Sequence, residues 1–142
     1  MTMYQWFFFY TLRFKSTDME TPDATRGQLE RTLSQRIQAL YRNQLGHQPS
    51  KVTCQIFDGK IAIIVEDSVT KPEQLLLQQG REELAEQVRA DLDEVIQPQL
   101  AALIEEVLGV AVIDLLSDAK LDTGRSGTIA ILAETPKARN LS

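Results

Sequence analysis

Residue types able to do chemistry are few in this 142-residue chain: one histidine, one cysteine and a surplus of carboxylates. Eight of those carboxylates, Glu82, Glu83, Glu86, Asp91, Asp93, Glu94, Glu105 and Glu106, fall in one stretch with helical spacing. General acid–base catalysis needs two carboxyl groups held in unlike environments inside a cleft. Nothing in the spacing sets any of these apart from a solvated helix face. Asp114, Asp118 and Asp122 recur every four residues and could gather a hard cation through oxygen ligands, but the calcium-loop pattern is absent and no metal is expected. No phosphate-binding glycine loop, zinc spacing or Ser/His/Asp order occurs either. The chain is therefore read as a non-enzyme without a cofactor.

Two arginines on the acidic stretch, Arg81 and Arg89, suit bidentate recognition of a carboxylate or phosphate, although a salt bridge within the helix to Glu86 or Asp93 is the plainer reading. His47, the sole histidine, lies in a Gly46-His47-Gln48-Pro49 loop, where it reads as a surface residue or a pH-sensitive contact. Cys54 sits mid-strand on an apolar face, where burial raises a thiol's pKa and leaves it inert. A single cysteine also rules out an internal disulfide and fits a reducing cytoplasm.

The elements that position these residues follow from periodicity. Lys51–Glu66 reads as a β-hairpin whose strands meet at Asp58-Gly59 in a type I′ turn. Counting outward pairs Phe57 with Lys60, Ile56 with Ile61, Cys54 with Ile63 and Val52 with Val65, so the Val52/Cys54/Ile56 face meets the helices and the Ile64 side is weakly satisfied. Before it, Leu29, Leu33, Ile37, Leu40 and Tyr41 mark one face of a helix from Arg26, capped by Thr25 and closed by Gly46. After it, Thr70 caps a short helix with Glu73 completing a capping box, and Gly80 ends it. A long helix runs from Arg81 to about Leu108, with Leu84, Val88, Leu92, Val95, Ile96, Leu100, Leu103, Ile104 and Val107 on its stripe and a kink expected at Pro98. Val110–Leu116 reads as a third strand interior to the sheet, Ser117–Gly127 as a polar loop, and Thr128–Glu134 as a fourth strand. The expected fold class is α+β: a two-layer sandwich of a four-stranded, mainly antiparallel sheet with an amphipathic helix and a long kinked helix on one face, in the order α-β-β-α-α-β-β.

Residues 1–25 stand apart as an arm and linker, residues 26–134 as one domain, and 135–142 as a frayed tail. Seven of the nine aromatics, Tyr4, Trp6, Phe7, Phe8, Phe9, Tyr10 and Phe14, crowd the first fourteen positions. That run is too short to span a bilayer and lacks the basic flank of a secretory signal. It is an extension from an overcalled start near Met19, an arm docking on a partner, or an interfacial anchor touching a membrane. The net charge of −5 argues against a nucleic-acid binder, and its distribution is uneven, +2 over residues 1–50 and −7 over residues 51–142.

The order of features resembles the bacterial domain of unknown function 2294. The similarity runs from about Gly27 to Glu134 and is carried by the Gly46-His47-Gln48-Pro49 loop, the hairpin, Val69-Thr70 with Glu73 and Leu75, Val88-Arg89, Gly109 before a valine-rich strand, and Ser117-Asp118. His47 and Gln48 depart from that family's basic loop positions, and the resemblance implies no activity. The residues themselves lead to a cytoplasmic, non-enzymatic regulatory or adaptor domain that homodimerises and binds a protein partner, because no catalytic constellation occurs and the sheet's outer face is apolar. The alternative is a small anionic-metabolite sensor, with Gly46, His47, Pro49, Thr70 and Arg89 gathered as the ligand site where both ends of the hairpin meet.

Overall fold

In the computed structural model, residues 24–139 are described, so the aromatic arm at residues 1–23 lies outside the described residues. The elements are α1 (Arg26–Leu45), β1 (Lys51–Phe57), β2 (Lys60–Glu66), α2 (Lys71–Gln78), α3 (Glu82–Leu108), β3 (Val112–Lys120) and β4 (Arg125–Leu132). This is the α+β order read from the sequence, with the helices on one face of a four-stranded antiparallel sheet of order β1-β2-β4-β3.

Local chemistry explains each helix boundary. Thr25 Oγ1 accepts from Gln28 N–H at 3.2 Å and Gln28 Oε1 accepts from Thr25 N–H at 2.8 Å, a reciprocal cap that satisfies donors left over at the start of α1. Gly46 ends the helix in the left-handed region at φ 66°, its N–H donating to Arg42 O. The helix then buries Leu33, Ile37 and Tyr41 against Cys54, Ile56, Ile61, Ile63 and Val65 of the hairpin and against Ile96, Leu100 and Ile104 of α3. Removing each such side chain from water contributes about 1.5–3 kcal/mol, which is why the 3.6-residue and 2-residue periods lock together in one core.

The hairpin has the expected register, Phe57 opposite Lys60 through Lys51 opposite Glu66. Its turn differs from the expected type I′. Asp58 takes a left-handed φ of 53°, whereas Gly59 does not; Gly59 O accepts from Leu132 N–H at 2.8 Å and carries the pairing on into β4.

Helix α3 runs without a break through Pro98. The carbonyl that the missing proline N–H would have bonded belongs to Glu94, and both residues lie on the exposed face, open to solvent. The buried stripe of α3 is Ala85, Arg89, Ile96, Leu100, Leu103, Ile104 and Leu108, so Leu84 and Val95, expected inside, are exposed.

The second hairpin corrects two expectations. Strand β3 is not interior: it forms an edge of the sheet beside β4. Nor is Ser117–Gly127 a loop, since Ser117–Lys120 pair with Thr128–Arg125 and only residues 121–124 turn. Polar residues satisfy a strand whose outward side and free edge both meet water, so composition disguised it. After β4 the chain packs rather than fraying from residue 135, with Pro136 buried and Arg139 N–H donating to Ala24 O at 3.1 Å.

Candidate functional site: an arginine knot and an open sheet face

At one end of the sheet three loops converge on α3. The loop before β1 reaches the loop after β2 through His47, whose Nε2 lies 2.8 Å from Asp67 O and 3.8 Å from the Asp67 carboxylate. The β3–β4 turn is pinned there too: both the N–H and the hydroxyl of buried Ser68 donate to Gly124 O, at 2.8 and 3.0 Å. Gly124 occupies the left-handed region at φ 76°, with Asp67 Cα 3.9 Å from where a side chain would begin.

Beneath these loops lies Arg89, 5% exposed. Its Nε donates to Glu73 Oε2 and its Nη2 to Glu73 Oε1, each at 2.7 Å, in the two-pronged geometry that planar guanidinium and carboxylate groups share. Nη2 also donates to Ser68 O at 2.9 Å, and Nη1 to Asp93 Oδ1 at 3.4 Å. Glu73, fully buried, accepts further bonds at Oε1 from Thr70 N–H and Thr70 Oγ1. Thr70 thus turns its hydroxyl to the carboxylate as part of the same knot. Among the described residues no buried side-chain polar atom is left without a partner. A charge pair taken out of water survives only when its remaining lone pairs and protons are satisfied in this way.

A polar seam continues from the knot along α3. Asp93 stands beside Arg89, and Tyr41 bonds Ser126. Burial raises the Asp93 carboxyl above the ordinary aspartate range despite the pull of Arg89, with Glu73 and Asp118 pushing the same way. Burial likewise raises the Tyr41 hydroxyl, aided by Asp93. On the sheet side, Ser117 and Thr128 share a bond of 2.7 Å between their hydroxyls.

The five residues expected to form a ligand site are therefore brought to one end of the fold but are engaged with the protein itself. Gly46 is a helix stop, His47 braces Asp67, and buried Pro49 offers its carbonyl to Gln38 Nε2 at 2.7 Å. Thr70 and Arg89 both serve Glu73. Glu73, Ser68 and Asp67 join this end of the fold beyond the residues the sequence predicts there. The readable signal was a capping-box glutamate followed, sixteen residues on, by an arginine on the next helix, which needs a buried partner.

The second feature is the sheet's uncovered face. Ile64 lies opposite Gly127 and Asp118, Ala62 opposite Ile129 and Leu116, and Lys60 opposite Ile131 and Asp114. These side chains point away from the helices. Ile64 is 44% exposed, Leu116 56% and Phe57 43%. A contiguous apolar band rimmed by charges, here Lys60, Asp114, Asp118 and Arg125, is the usual mark of a contact surface. Among the described residues, no group of three acidic, histidine or cysteine side chains is arranged to hold a metal ion.

A family model described as "MpsC: Na+-translocating membrane potential-generating system (MpsC)" matches residues 25–134. The chain belongs to this family. The resemblance to domain of unknown function 2294 is thereby corrected, since the family match is to MpsC. The features that carried the resemblance, glycine helix stops, an Asp-Gly turn and a Thr-x-x-Glu cap, are demanded by local backbone geometry wherever helices and hairpins alternate. The MpsC match begins at the Thr25 cap and ends just past β4, so it spans every described helix and strand. No curated protein and no solved structure matches the chain. No helix among the described residues is long and apolar enough to cross a membrane.

Proposed function

We propose that this MpsC-family chain is a non-enzymatic, cytoplasmic regulatory or adaptor component of a Na+-translocating membrane-potential system, acting as a homodimer that binds a protein partner. The observation that carries this reading is the apolar band on the open face, centred on Ile64, Gly127, Ile129 and Leu116. An apolar area left in water at the centre of a twisted sheet favours association, because burying it on a second surface releases the same hydration cost that drives folding. The family description supplies the membrane connection. With no membrane-crossing helix among the described residues, the described fold would reach such a system through a partner.

The alternative, a sensor of an anionic metabolite at Gly46, His47, Pro49, Thr70 and Arg89, would require a ligand to displace Glu73 from Arg89. The buried pair weighs against it.

Sedimentation velocity on the full chain tests the dimer. A dimer at micromolar concentration that dissociates on Leu116→Asp supports the reading. A monomer throughout the concentration range, or a dimer indifferent to Leu116→Asp and Ile64→Asp alike, overturns it.

A further inference from the structure

The open face has a candidate occupant in the chain's own sequence. In the row Ile64–Gly127–Asp118, Ile64 leans over the glycine, its Cδ1 3.5 Å from where a side chain would begin, and beside it lies a shallow hollow of about 290 Å³ bordered by Ile64, Lys120 and Arg125. An aromatic ring laid across a strand glycine packs on the low backbone there, and here on the Ile64 side chain beside it. Arg125 stands at the rim, where a guanidinium stacks on an aromatic face.

The first fourteen residues supply the rings in a matching pattern. Positions 4, 6, 8, 10, 12 and 14 are Tyr, Trp, Phe, Tyr, Leu and Phe. Run in extended form, they present six apolar side chains on one side. The point of departure also fits. Ala24 is tied to Arg139, and the chain from β4 to Arg139 passes Gly59, so Ala24 leaves at the Asp58–Gly59 end of the sheet. Residues 15–23 can span roughly 30 Å when extended, about twice the width of four paired strands.

We propose that the aromatic segment Tyr4–Phe14 docks on the open sheet face of its own chain, its rings over Ile64, Gly127 and Leu116. This rests on the docking role given to that face above.

Trp6 is the sole tryptophan and reports directly. In the full chain its emission is expected to be blue-shifted and protected from iodide quenching, independent of protein concentration. Either Ile64→Asp or Leu116→Asp shifts it toward the red with the far-ultraviolet circular dichroism unchanged, both sites lying on the exposed face. The full chain carrying Phe8→Asp and Tyr10→Asp binds anilinonaphthalene sulfonate severalfold more strongly. Emission of a solvated indole in the unmodified chain, emission indifferent to both face substitutions, or protection that appears only as the chain self-associates would each overturn the proposal. A chain that stays monomeric with Trp6 protected defeats the dimer reading while supporting this one.

Discussion

Arg89 and Glu73 face each other across the α3–α2 contact with two parallel hydrogen bonds of 2.7 Å, in a site from which water is almost wholly excluded. Removing one partner strands the other charge in a low dielectric. Arg89→Ala or Glu73→Ala is expected to lower unfolding stability by about 3–5 kcal/mol. The paired change Glu73→Leu with Arg89→Met removes both members of the fully buried pair and is expected to recover part of that loss, the remainder coming from Asp93, Ser68 O and Thr70, which lose their partners. Urea titrations of the three variants check this, and additive losses in the double variant would show that the pair acts independently of its charge.

Asp93 adds a pH dependence of its own. Because burial raises its folded-state pKa above the ordinary 3.8, the folded protein holds this proton to higher pH than the unfolded chain does. Its contribution is most favourable below 3.8 and declines as pH rises through the raised value. Asp93→Asn therefore gains stability relative to the parent as pH climbs from 4 through that window. Unfolding free energies of both proteins across the acid range supply the measurement, and a constant difference would contradict it.

Cys54 is protected in two ways. Burial first, with Glu30 adding to it, raises its thiol to about 11 from 9.0, against a lowering bond from Ser34. At pH 8 the native chain is expected to resist a thiol-specific disulfide reagent that labels the unfolded chain at once. Above pH 9 the unfolded thiol ionises while the folded one does not, so stability falls between 9 and about 11. Rapid native labelling at a rate independent of denaturant would refute the placement.

The turn at Gly124 holds its φ of 76° while its carbonyl receives both Ser68 donors. A side chain in that conformation costs about 1–2 kcal/mol. Gly124→Ala is expected to lower stability by that amount and to speed amide exchange at Ser68 first, because the two loops part there. Uniform exchange across the fold would instead indicate a global effect.

How much of this was legible depended on the range of the interaction. The β1–β2 register could be read because the Asp58-Gly59 turn and the alternation of Val52, Cys54 and Ile56 agree within sixteen residues. Strand β3 was misplaced because its second half, Ser117–Lys120, is polar. An edge strand needs an apolar residue only where it meets the core, as Val112 and Leu115 do. The knot was half visible. Thr70 with Glu73 announced a cap, and Arg89 announced a demand for an anion. Their meeting is a tertiary fact, made by α2 folding back on α3, and no local period encodes it.

The two edges of the sheet are unlike. Along β1, helix α1 packs alongside and the Glu30 carboxylate already occupies the Ile56 N–H at 2.8 Å. Along β3, the Glu105 carboxylate accepts from Val112 N–H at 3.0 Å where the strand begins, and Asp118 turns back onto the neighbouring Ala119 N–H. A ribbon that grows strand upon strand needs every molecule to offer two open sides, and here helix α1 and Glu30 occupy the β1 side. Edge pairing can join two copies through β3, but it then has nowhere to go. The chain can thus carry an exposed strand beside an apolar face without seeding a fibre.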